Sequence, residues 1–246
     1  SVFLFYTFVN QILIVLVMKN VIFLILLFNF FATTNAQNNL VLDTDFGTSG
    51  IVTPQLSTSN GEFAAMAIQP DGKIITYGRL HSYTFSDYTM SRYNVDGSID
   101  TSFGTNGSFT VFSYSDQIPT KYQLKLLSDG KILTVRMIDV NPHPNIDYMD
   151  IFVNRYNSDG TLDTTFANAG HYIQDYSDSD YGMAIEIQPD NKILIAGRAD
   201  LDALVFRLNE NGTLDTSFGT NGTFRKRYIP FDGFNYVYNF AFAVKL

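Results

Sequence analysis

The stretch RYNVDGSIDTSFGTNG at 92–107 recurs as RYNSDGTLDTTFANAG at 155–170 and as RLNENGTLDTSFGTNG at 207–222. Aligned on the Asp of LDT or IDT, the series Asp43, Asp100, Asp163 and Asp215 has intervals of 57, 63 and 52 residues. Such a period describes a unit that cannot bury its apolar face alone and stacks against its neighbours, as in solenoids and propellers. A second signature sits inside each interval: AIQPDGKIITYG from Ala67, LLSDGKILTV from Leu126 and EIQPDNKILIAG from Glu186. Two apolar runs around a polar tetrad predict a β-hairpin. In the tetrad Pro70 presets φ, Asp71 bonds the backbone ahead and Gly72 supplies a left-handed residue. Gly130 holds that place in the second copy, and Asn191, the side chain that best tolerates it, in the third.

Two further strands per repeat are expected. One follows the closing Gly of the motif, at 51–53, 108–112 and 171–174, as the inner strand of the next unit. The other runs into RYN, at 88–93 and 151–156. Four antiparallel strands per unit describe a propeller blade. The fold class is therefore all-β: a β-propeller of four-stranded antiparallel blades over 37–246. Blades are expected at about 50–106, 107–169 and 170–221, with a truncated fourth at 222–246. The motif then serves as the link from an outermost strand to the next innermost one. Asp100, Asp163 and Asp215 are structural turn residues, and Phe103, Phe166 and Phe218, paired with Ile99, Leu162 and Leu214, are plugs between blades.

The combination QPDGKI with RYNxDGxLDTSFGTNG resembles the delta-60 repeat family of exported bacterial proteins, over residues 42 to about 224. The resemblance implies a β-propeller at the cell surface or secreted, and transfers no catalytic residues. The chain departs from the pattern in SDG at 128–130, FANAG at 166–170 and QPDN at 188–191.

Residues 1–31 carry a single charge, Lys19. From Met18 the text reads as a secretory signal: Lys19 first, the apolar run 21–31, and cleavage after Ala36. The upstream residues 1–17 are then not part of the working protein. The rival is a membrane anchor over 1–31, which would carry Asn10, Gln11, Lys19 and Asn20 through the bilayer. Signal removal leaves no membrane insertion and a hydrophobic N-terminal helix absent from the mature chain. The formal net charge is −8, one unit more negative without Lys19. Such a surface repels phosphate backbones, so nucleic acid is excluded as a partner. There is no cysteine, hence no disulfide, thiolate metal site or cysteine nucleophile.

A residue that occupies the same place in every blade serves the blade, because chemistry needs one constellation rather than three. The least repetitive segments are the loops at the other end of the blades, around His81, Tyr83 and Asp87, Tyr114 and Asp116, His143 and Asp147, and Tyr176, Asp178 and Asp180. Loops on a rigid scaffold are where binding residues collect, and Tyr, Asp and Ser there suit sugars or cations. Asp175, Asp178 and Asp180 are the densest acids. A three-histidine metal site is awkward, since His171 lies at the opposite end from His81 and His143. An EF-hand fails in all three copies: with Gly97 as the sixth position, the first is Arg92 and the twelfth Phe103, where anions are required. Calcium in a weaker geometry stays open; no cofactor is otherwise expected. The expected function is an exported, non-enzymatic scaffold for a glycan or surface protein, in a chain whose remaining blades lie elsewhere. The alternative is a polysaccharide-processing hydrolase or lyase with catalytic acids on the variable loops or on missing blades.

Overall fold

The computed structural model describes residues 41–53, 61–81, 86–114, 123–139, 149–176, 180–227 and 241, with backbone alone at 61, 62, 80, 81, 86, 87, 112–114 and 139. The segment 1–36, with Met18 and Ala36, lies outside the described residues. Among the described residues, twelve strands fall within one unit, Thr44–Leu246.

The first sheet is β1 (Gly61–Ile68), β2 (Ile74–His81), β3 (Ser86–Tyr93) and β4 (Ser108–Tyr114). The second is β5 (Gln123–Leu126), β6 (Ile132–Asp139), β7 (Met149–Tyr156) and β8 (His171–Gln174). The third is β9 (Tyr181–Ile187), β10 (Ile193–Ala199), β11 (Asp202–Leu208) and β12 (Thr223–Lys226). Each is an antiparallel meander in chain order, and the first strands β1, β5 and β9 touch in succession. The sheets are propeller blades.

The hairpin turns follow from their tetrads. The Gln69 amide donates to the Lys73 carbonyl at 2.8 Å and the Gly72 amide to the Gln69 carbonyl at 2.9 Å. Gly72, Gly130 and Asn191 have φ of +83°, +81° and +62°.

The strand after the motif does not open the next blade. Ser108–Tyr114 pairs with β3, His171–Gln174 with β7 and Thr223–Lys226 with β11, so each closes its own sheet as the outermost strand. The blades therefore run 61–114, 123–174 and 181–226 rather than 50–106, 107–169 and 170–221, and residues 223–226 complete the third blade instead of starting a fourth. Residues 51–53 form no strand beyond a single bridge from Ile51 to Thr48. The physical reason lies inside the motif, which folds back on itself. The Asp100 amide donates to the Arg92 carbonyl at 2.9 Å, and the Arg92 amide to the Gly107 carbonyl at 3.0 Å. The chain thus leaves the loop beside the strand by which it entered. The chain therefore passes to the next blade only after its outer strand, beyond Tyr114 in the first blade and beyond Gln174 in the second.

Two apolar layers join the sheets. Ile75, Tyr77, Tyr88, Met90 and Phe103 of the first blade meet Leu124, Ile132 and Tyr156 of the second. Leu133, Val135, Ile151, Val153 and Phe166 of the second meet Ile185, Ile195, Leu204 and Phe206 of the third. Successive side chains point to opposite faces, so Ile132 and Leu133 enter different layers. The second sheet is covered on both sides, and every residue of β7 is buried. Phe103 and Phe166 are wholly buried, each ring against the turn glycine of the following blade, Gly160 and Gly212. Phe218 is half-buried. Ile99 and Leu162 are not plugs: both are exposed and cover their own loop's closing glycine, Gly107 and Gly170.

The motif imposes left-handed backbone even where glycine and asparagine are missing. Gly104 and Asn106 have φ of +55° and +54°, and their counterparts Ala167 and Ala169 have +45° and +50°. A left-handed conformation costs an L residue with Cβ about 1–2 kcal/mol. Two substitutions with opposite signs check this by thermal unfolding. Gly72→Val is expected to destabilise by about 1–2 kcal/mol, since its Cβ also meets the Val95 side chain at 2.9 Å. Ala169→Asn, at an exposed site, is expected to stabilise by about 0.5–1 kcal/mol.

Candidate functional site

The two ends of the blades differ in kind. At the motif end the same charged group is built three times. In the first blade Asp100 Oδ2 accepts from Arg92 Nε at 2.7 Å and Lys73 Nζ at 2.8 Å, and Oδ1 accepts from the Ser102 hydroxyl at 2.6 Å. In the second, Asp163 Oδ2 meets Arg155 Nε at 2.7 Å and Lys131 Nζ at 3.1 Å, with Thr165 on Oδ1 at 2.6 Å. In the third, Asp215 Oδ2 meets Arg207 Nε at 2.7 Å and Lys192 Nζ at 2.9 Å, with Ser217 on Oδ1 at 2.6 Å. The lysine comes from the hairpin turn, the arginine from the third strand and the aspartate from the motif.

The same arginines reach the next blade. Arg92 Nη1 donates to the Ser158 carbonyl and Arg155 Nη1 to the Glu210 carbonyl, both at 2.6 Å. Their guanidinium carbons lie 4.7 Å above the Phe103 and Phe166 rings, within cation–π range. These carboxylates are fully used within the scaffold. The Lys73 ammonium, the Ser102 hydroxyl and the Arg92 charge hold Asp100 well below the usual carboxylate range. Burial pushes Asp163 up, but Thr165, Lys131 and Arg155 outweigh it and the net shift is down. Ser217, then Lys192 and Arg207, depress Asp215.

At the loop end the structure assembles something found once among the described residues. Asp150, near the start of β7, Asp175, just after β8, and Asp180, just before β9, each bring a carboxylate oxygen within 4.8 Å of the other two. Asp180 has no solvent exposure and Asp150 3 %, whereas Asp175 is exposed. Two backbone contacts hold Asp180 in this group: it donates its amide to the Met149 carbonyl and accepts from the Tyr176 amide at 2.7 Å on Oδ2. Its Oδ1 has no hydrogen bond. Burial pushes the Asp180 carboxyl up to about 7; the amides of Tyr176 and Asp200 oppose this, and the charges of Asp150 and Asp175 add to it. Tyr176 is half-buried, with the Arg225 guanidinium 4.9 Å from its ring. Arg225 itself is engaged with Asp202 at 3.2 Å and with the Ala199 carbonyl at 3.3 Å.

Of the loop residues singled out by sequence, Asp175, Tyr176 and Asp180 are described with their side chains, and Asp175 and Asp180 belong to the acid group. Tyr83, Asp116, His143, Asp147 and Asp178 lie outside the described residues, as do the side chains of His81, Asp87 and Tyr114, whose backbones end or begin strands at this end. His171 begins an outer strand at the motif end and stacks on Phe152 with ring centroids 5.3 Å apart. It also lines a hollow of about 500 Å³ with Leu214 and Tyr172. Asp150 was not singled out, although a signal exists: an aspartate stands five positions before the arginine of each motif, as Asp87, Asp150 and Asp202.

Residues 69–103, 150–166 and 188–218 match a family described as a domain of unknown function (DUF5122) beta-propeller. This chain is built of β-propeller repeats. The matched stretches cover the third strand and the motif as far as its phenylalanine in all three blades, and the hairpin turn in the first and third, so they include every arginine and aspartate of the threefold charged group and two of its three lysines. No curated protein matches the chain.

The two kinds of carboxylate impose opposite pH dependences. For Asp100, Asp163 and Asp215 the folded pKa lies below the unfolded value of about 3.9, so their contribution is complete above that value and lost as pH falls below it. For Asp180 the folded pKa lies above the unfolded one, so the native state keeps a proton that the unfolded chain releases, and stability falls as pH rises from about 4 to 7. Calorimetry of chelator-treated protein should therefore show maximal stability near about pH 5, with Asp180→Asn removing the decline on the neutral side. Asp163→Asn should lower the midpoint by on the order of 5–10 °C at pH 7, because Arg155 is left buried without its counter-charge.

Proposed function

We propose that this protein is an exported, non-enzymatic β-propeller scaffold that binds a ligand, a glycan or a surface protein, through the variable-loop end of its blades. The observation that carries this reading is the contrast between the ends. The recurring Arg, Asp and Lys residues are consumed in holding each blade together and, for Arg92 and Arg155, in joining it to the next, while the variable end gathers, in the second blade, the acids Asp150, Asp175 and Asp180 beside Tyr176. Export rests on the signal-like segment ending at Ala36, with the working protein in the medium or at the cell surface. The net charge of −8 argues against a nucleic-acid partner. Further blades are a natural partner, because β1 leaves Phe63, Met66 and Ile68 52–63 % exposed where the other sheets have a neighbour.

A second reading is favoured by one observation. A carboxyl group poised near 7 beside two further acids is the kind of group that serves as a general acid in glycoside cleavage. A glycan-array screen run in parallel with hydrolysis and lyase assays on the hits separates the two. The scaffold reading expects binding without turnover. Turnover that disappears in Asp180→Asn, with the fold intact by circular dichroism, would establish the enzyme instead.

A further inference from the structure

We propose that Asp150, Asp175 and Asp180 form a calcium site that ties the second blade to the third. Three independent observations converge on it. The first is spacing. Calcium takes oxygen ligands at about 2.3–2.6 Å, so oxygens on opposite sides of one ion stand about 5 Å apart; one oxygen from each of the three carboxylates lies within 4.8 Å of the others.

The second is an unmatched atom. Asp180 is completely buried and its Oδ1 accepts no hydrogen bond. Burying a polar atom without a partner is costly, and a cation between the carboxylates supplies that partner.

The third is the comparison with the third blade. Counting back from the motif arginine, Asp150 corresponds to Asp202; counting on from the closing glycine, Asp175 corresponds to Arg227. In the third blade these positions form an ion pair, Arg227 Nε to Asp202 Oδ1 at 2.6 Å, where β11 and β12 run side by side. In the second blade both positions are aspartate, and the crossing to β9 adds a third acid, Asp180. The guanidinium of one blade is replaced by a carboxylate in the other, so three carboxylates converge where the third blade has a cation–anion pair. The donor set is all oxygen, which selects a hard ion over zinc or copper. Asp175 is exposed, so water has access to the remaining positions of a six- to eight-fold shell.

This inference does not depend on the protein's ligand: a scaffold without calcium would still bind, and an enzyme with calcium would still turn over. The test is titration calorimetry and differential scanning calorimetry of the whole chain at about pH 7.5, after chelation, with CaCl₂ and separately MgCl₂ to about 10 mM, above the range of weak extracellular sites. One calcium per chain and a midpoint raised by several degrees are expected. Asp175→Asn, at an exposed position, should weaken calcium at least about tenfold. Asp150→Asn should do the same, while Asp190→Asn, at a hairpin turn at the other end, should behave as wild type. No heat and no midpoint shift with calcium would overturn the proposal. So would an undiminished response in Asp175→Asn and Asp150→Asn, or magnesium binding as tightly as calcium.

Discussion

The interaction on which the architecture depends is the shared carboxylate of the repeat aspartate. Asp100, Asp163 and Asp215 each take a lysine from the hairpin turn and an arginine from the third strand on one oxygen, and a hydroxyl on the other. Three separate pieces of a blade are thereby held at one point. The arginine does a second task, since Arg92 and Arg155 also donate to a carbonyl of the following blade and cap the phenylalanine buried between the two. A buried ion pair gives up hydration, so its net contribution is modest unless every donor and acceptor is satisfied. Here the spare guanidinium nitrogens and the second carboxylate oxygen have partners, and the group sets the register of motif, hairpin and neighbouring blade together.

Because that group saturates its charges, it leaves the motif end with little to offer a ligand. The loop end is built under no such constraint. Strand pairing brings β7, β8 and the start of β9 to the same place, but the side chains there differ from blade to blade. Asp202 faces Arg227 in the third blade, while Asp150 gathers with Asp175 and Asp180 in the second. One scaffold position thus carries an ion pair in one copy and a cluster of three acids in another, a difference that a stability role common to all blades does not require.

The hairpins were legible because their turn chemistry is local. QPDG, SDG and QPDN each place a residue able to adopt positive φ at the same point, and Gly72, Gly130 and Asn191 adopt it. Phe103 and Phe166 were legible as inter-blade side chains because a large apolar residue in a polar loop has few other destinations. The strand after the motif was not legible. Residues 108–112 and 171–174 have enough reach to cross to the next sheet, and what decides against it is a hydrogen bond from the arginine amide to the closing glycine, which a span estimate does not contain. Asp150 was overlooked for a related reason: it sits in a strand, while the neighbouring acids advertise themselves in a loop.

The sequence by itself determined that this chain repeats a four-stranded unit, where its hairpins turn, and which end of each unit is uniform and which varies, since all of these rest on spacing and local backbone preference. Only the tertiary structure decided which sheet the last strand of each repeat joins, that the hairpin lysine and motif aspartate meet 27 residues apart, and that Asp150 lies against Asp175 and Asp180. Those are contacts between strands, set by register and by the folding of the motif onto itself, and pair partners across a sheet are not encoded in any single stretch of chain.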